Sequence, residues 1–115
     1  MTDVARTRSF YRVAKRYPPD DRAYLTPQDK LGDPPVDASF EKRRSWDALS
    51  AFDSEEGARR QARQFTHLGN KIVRYDIPAG AGITWEDTLD EPGHIDLRGD
   101  RETLKRYLTD IVVDV

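Results

Sequence analysis

At 115 residues, with 35% charged and 37% hydrophobic side chains and a formal charge of −2, the chain has material for one domain with a small core and a heavily charged surface. The near-balance of charge argues against a general nucleic-acid or anionic-membrane binder, and the lack of cysteine excludes disulfides, thiolate zinc sites and thiol nucleophiles. No apolar stretch approaches a membrane span, and MTDVARTRSF lacks the hydrophobic centre of a signal peptide, so a soluble, cytoplasmic domain is expected.

The chain reads as a single domain, 1–115, opened by a polar tail over 1–8. Phe10 to Ala14 is the first strand candidate, with Tyr11 and Val13 on one face and Phe10, Arg12 and Ala14 on the other, and Pro18 and Pro19 end it. An arginine inside an apolar strand must find water, an acid or a ligand. Arg12 therefore has two readings, an edge-strand residue in solvent or an ion pair, and a ligand for an anion. From Tyr17 to Arg44 the chain reads as one ordered loop, marked by YPPDDR and GDPPVD, with a single helical turn at Thr26–Leu31 capped by Thr26 and opened by Pro27. Tyr24, Leu25, Leu31 and Phe40 give that loop side chains with which to dock.

The organising stretch is SWDALSAFDSEEGARRQARQFTHLGN, from Ser45 to Asn70. Ala48 to Phe52 reads as a short buried strand. Asp53 or Ser54 then caps a helix with Ala58, Ala62 and Phe65 on its apolar stripe, and Gly69 stops it. Beyond it, Lys71 to Ile77 alternates as a half-buried strand, with Val73, Tyr75 and Ile77 on one face. Ile83 to Trp85 is a shorter strand candidate, and EDTLDEPG follows as an acidic, solvated loop from which Glu86 could reach a cleft. His94 to Arg98 alternates again with Ile95 and Leu97 inward. Asp100 caps a last helix striped by Leu104, Tyr107 and Leu108, and IVVDV closes the chain as a strand. Strands outnumber helices without a regular βαβ rhythm, which predicts an α+β domain with a mainly antiparallel or mixed sheet.

The familiar phosphate-loop, dinucleotide, nucleophile-elbow and zinc-helix motifs are all missing. The two histidines, His67 and His94, lie far from any metal-ligand spacing, so no metal is expected. His67 reads as a cation placed well for a helix C-terminus. Arginine is used far more than lysine throughout, so the arginines of the central helix read as surface charge.

Three pieces nevertheless stand in a familiar order: FYRV at 10–13, ALSAFDSEEGARRQA at 48–62 and GHIDLRGDRETLKRYL at 93–108. In that order the chain resembles the ADP-ribosyltransferase superfamily, whose first signature strand carries an arginine or histidine, whose second carries a serine or tyrosine and leads into a helix, and whose third is opened by a glutamate. The resemblance implies a split sheet with two main helices and NAD as cofactor. Arg12 falls on the first position and Ser50 on the second, where they would bind phosphate or ribose oxygens, with Tyr11 beside Arg12 in the same cofactor-binding group. His94 falls on the third position, in place of the glutamate that stabilises the positive charge growing as nicotinamide leaves. The implied catalytic pair is His94 with Glu91, and Glu86 or Asp96 are further sources of a carboxylate.

Three functions are therefore weighed. The chain binds NAD or a related nucleotide and cleaves the nicotinamide–ribose bond, as a transferase or glycohydrolase. Alternatively it is a non-catalytic protein-interaction module on the same fold. The third and least favoured is nucleic-acid binding through Lys42, Arg43, Arg44 and the helix arginines.

Overall fold

The computed structural model describes residues 6–89 and 91–115. It is an α+β domain built on one six-stranded sheet in the order β4-β5-β2-β1-β3-β6, every ladder antiparallel. The strands are β1 (Thr7–Ala14), β2 (Leu49–Phe52), β3 (Lys71–Pro78), β4 (Thr84–Asp87), β5 (His94–Arg98) and β6 (Leu108–Asp114). The helices among the described residues are α1 (Pro27–Leu31), α2 (Phe40–Arg44), α3 (Glu55–Gln64) and α4 (Arg101–Arg106), with short 3-10 turns at Asp21–Tyr24 and Thr66–Leu68. No helix among them is long and apolar enough to cross a membrane.

β1 is the pivot. It pairs with β3 along its whole length, from Thr7 opposite Pro78 to Ala14 opposite Lys71, yet meets β2 only at Tyr11 opposite Phe52. The sheet is thus two three-stranded halves, β4-β5-β2 and β1-β3-β6, joined at one point. β1 starts at Thr7, so the expected tail is shorter than 1–8, and residues 1–5 lie outside the described set. β1 is also interior, between β2 and β3, which corrects the edge-strand reading of Arg12.

Alternation along the strands separates two clusters of buried side chains. Phe10, Ala14, Leu49, Ala51, Val73, Tyr75, Ile77, Ile95 and Leu97 form the larger core, closed by Tyr24 from the 3-10 turn and by Leu104 from α4. The rings of Phe10 and Trp85 approach to 5.2 Å although two strands stand between theirs, so the sheet curls around this core. On the other face Phe52, Ala58 and Ile72 form a smaller cluster with Tyr11, Val13 and Val113 beneath α3.

α3 follows from its sequence. Ser54 caps it by accepting from the Gly57 amide at 3.1 Å, and Glu55 and Glu56 suit the positive end of its dipole. Gly57, Ala58 and Ala62 are small enough to bring the axis down onto the sheet. Phe65 is not part of that buried face. It is the C-terminal cap, 43% exposed, and Gly69 ends the following 3-10 turn instead of α3.

The Tyr17–Arg44 stretch corrects the expectation of one loop carrying a single helical turn. α1 is present with Thr26 and Asp29 forming a reciprocal capping box, but the segment also holds the Asp21–Tyr24 turn and α2, capped by Ser39. Tyr24 docks, whereas Leu31 and Phe40 stay exposed at 72% and 69%. At the other end, Tyr107 caps α4 and Leu108 already belongs to β6, so the last helix is shorter and the last strand longer than the stripe predicted.

Candidate functional site

The positions matched by the family resemblance lie on β1, β2 and β5, which are neighbours in the sheet. β2 carries Leu49 and Ala51 into the larger core, which turns Ser50 to the opposite face, together with Phe52. β5 does the same, with Ile95 and Leu97 in the core and His94 and Asp96 on the face of Ser50. Phe52 stands opposite His94 in the ladder, and their rings are 5.1 Å apart.

Diagonal placement across this pair brings Ser50 Oγ within 2.5 Å of His94 Nε2. The other ring nitrogen, Nδ1, lies 2.9 Å from Thr88 Oγ1. His94 is thus held between two hydroxyls, each able to donate or accept, so either imidazole tautomer can be served. Gly93 sets up this arrangement. Its φ of +83° is open to glycine, its carbonyl accepts from the Asp53 amide at 3.0 Å, and a Cβ there would meet Asp53 Oδ1 at 2.8 Å.

Arg12 belongs to the other side. It shares the parity of Phe10 and Ala14, and its guanidinium lies 5.9 Å from the ring centre of Tyr24. Nε donates to the Ser50 carbonyl at 2.8 Å and Nη1 to the Ala23 carbonyl at 2.9 Å. These bonds occupy the gap where β1 and β2 have parted, so the side chain completes a ladder that the backbone leaves open. Nη2 has no partner among the described residues. Since none of their fully buried side-chain nitrogens lacks a hydrogen bond, Nη2 retains some contact with solvent.

The structure therefore brings Ser50 and His94 into direct contact and connects Arg12 to them through the Ser50 backbone. Tyr11 is on the Ser50 face but packs in the smaller cluster under α3. Glu91 accepts the His94 amide through its own carbonyl at 3.1 Å, and its side chain is exposed. Asp96, buried and opposite Ser50 in the ladder, accepts from Ser45 Oγ at 2.7 Å. Glu86 is in β4, not in the acidic loop, where Arg44 and Arg98 hold it at 2.7 and 3.3 Å. The hydrogen bond and charge of Arg44, with help from Arg98, keep its carboxyl below the ordinary glutamate range.

Thr88 is the site residue that the sequence reading passed over, because it sits in a stretch that looks like solvated acid. Its only sequence signal is a hydroxyl six residues before a histidine that starts a strand. No group of three or more histidine, aspartate or glutamate side chains that could hold a metal occurs among the described residues. Comparison of the chain with protein-family models, with curated proteins and with solved structures gives no match.

Proposed function

We propose that this chain is a small ADP-ribosyltransferase-like domain that binds NAD or a related nucleotide where β1, β2 and β5 lie side by side. The observation that carries the reading is the series from Arg12 through the Ser50 carbonyl to Ser50 Oγ and His94 Nε2, which links the three resemblance positions by hydrogen bonds. Arg12 reaches the Ser50–His94 pair from the opposite face of the sheet, through its bond to the Ser50 carbonyl, and its remaining Nη2 is a permanently charged donor of the kind that meets phosphate oxygens. The Ser50 hydroxyl, oriented by His94, keeps capacity for a further hydrogen bond to a ribose edge.

Cleavage of the nicotinamide–ribose bond would require a negative charge near the developing oxocarbenium ion, which His94 does not bring. In this reading Glu91 is its source, from the exposed turn that holds the His94 amide. NMR titration with NAD tests the proposal. Amide shifts at Arg12, Ser50 and His94 are expected, with nicotinamide release lost in Glu91→Gln. Unmoved spectra at millimolar NAD would reject it.

One observation favours the second reading, a protein-interaction module. Val36 is 96% exposed on a loop that Arg43 pins by donating to the carbonyls of Pro35, Val36 and Ala38. An apolar side chain presented on a braced loop between exposed Leu31 and Phe40 suits contact with another protein.

A further inference from the structure

One cavity shares no lining residue with the Arg12–Ser50–His94 series. It lies on the larger-core face between α1, α4 and the outer part of the sheet, with a volume of about 240 Å³. Its floor is apolar, built from Leu49, Leu97, Ile83 and Leu104. Gly99, with φ +146°, lets the Ile83 wall close in, because a Cβ at that position would meet Ile83 Cδ1 at 2.6 Å. The volume falls just below the usual range for sites of drug-sized ligands, so it suits a single small molecule and not a dinucleotide.

Charge is confined to the rim and comes from separate segments. Arg101 on α4 donates through Nη2 to Asp29 Oδ2 at 3.1 Å, which leaves Nε and Nη1 without partners among the described residues. Asp47, just before β2, accepts from Arg98 Nε through Oδ1 at 3.1 Å, and its Oδ2 has no partner there. A guanidinium with open donors, a carboxylate with an open acceptor and an aliphatic floor together match one ligand chemistry. A carboxylate suits the first, an ammonium the second and a branched hydrocarbon the third.

We propose that this cavity binds a free apolar α-amino acid, with its carboxylate on Arg101, its ammonium on Asp47 and its side chain over Leu49, Leu97 and Leu104. The inference goes beyond nucleotide binding and does not depend on it.

L-Leucine is the probe, followed by NMR titration of the full chain. The amides of Leu49, Leu97 and Leu104 are expected to shift, and that of Ala58, in α3 on the opposite face, to stay in place. 4-Methylpentanoate, which lacks the ammonium, and isoamylamine, which lacks the carboxylate, should each bind at least tenfold more weakly. Arg101→Gln and Asp47→Asn change exposed rim groups, so both variants should fold, and each should lower leucine affinity about tenfold. No shift at tens of millimolar leucine, equal binding of either control, or unchanged affinity in both variants would overturn the assignment.

Discussion

Arg12 Nε donates to the carbonyl of Ser50 at 2.8 Å, across the gap between two strands whose backbones share a single ladder pair. The same guanidinium reaches Ala23 and lies near Tyr24, so one side chain ties β1 to β2 and to the turn that closes the larger core. That bridging role is distinct from a ligand-binding one, and the two predict different variant behaviour.

Arg12→Ala leaves the Ser50 and Ala23 carbonyls without their charged donor. Hydrogen bonds to charged groups contribute about 1.5–3 kcal/mol each, so the expected loss is about 2–3 kcal/mol after solvation of these part-exposed carbonyls. Urea unfolding checks this. A change below about 0.5 kcal/mol would show that the bridge carries little.

Ser50→Ala removes only the hydroxyl, because β2 contributes the Ser50 carbonyl from its backbone. The expected cost is about 1 kcal/mol with an unchanged denaturant slope. That makes it the cleaner variant for probing the site without loosening the sheet.

Gly57→Ala should destabilise the protein although helix propensity alone favours alanine by about 1 kcal/mol. The added Cβ would stand 2.9 Å from Phe52 Cδ1, on a ring that is 1% exposed and cannot swing aside. Overpacking of this kind costs about 1–3 kcal/mol. A thermal midpoint at or above that of the parent protein would contradict the close seat of α3 on β2.

Tyr24→Phe tests the buried phenol pair, in which the Tyr24 and Tyr75 hydroxyls are 2.7 Å apart. Burial first, then the hydrogen bond to Tyr75, pushes the Tyr24 phenol well above its ordinary value of 10.0. The variant strands the Tyr75 hydroxyl and should cost about 1–3 kcal/mol, measured by urea unfolding. In an ultraviolet titration of the parent protein, Tyr24 should ionise only as the fold is lost.

The acid limb of stability has a fixed sign. The hydrogen bond from Lys105 lowers Asp21, the Thr26 amide lowers Asp29 and the Thr103 amide lowers Asp100. At Asp76 burial pushes upward, but hydrogen bonds from Arg74 and Ser9 outweigh it. Carboxyls depressed in the folded state contribute stability above their unfolded value, near 3.8 for aspartate, and lose it as pH falls through the folded value. Thermal midpoints should therefore be level near neutrality and fall below about pH 4. A midpoint that rises on acidification would contradict these pairings.

Period and punctuation explain which parts of the fold could be read from sequence. Val73, Tyr75 and Ile77 alternate cleanly and are all buried, Ile95 and Leu97 likewise, and the Thr26–Pro27 start of α1 carries its own cap chemistry. α2 gave no such signal, because Phe40–Arg44 buries no residue and its only mark is Ser39. Asp96 alternates as a solvent-facing residue would, yet it is buried and accepts a hydrogen bond from Ser45, which lies outside the sheet. The contact of Ser50 with His94 was legible only as two separate residues, since pairing of β2 with β5 is a long-range event. Nothing local indicates that Arg12 spans an interior gap, which arises from the single-point junction of β1 with β2.

Calorimetric titration of the folded protein with NAD, beside Ser50→Ala and His94→Ala, is the direct test for a nucleotide site on β2 and β5. Saturable binding by the parent protein, weakened at least tenfold in both variants while their circular dichroism is unchanged, is the predicted result. Absence of binding heat at millimolar NAD, or equal binding by all three, would contradict a nucleotide site at Arg12, Ser50 and His94.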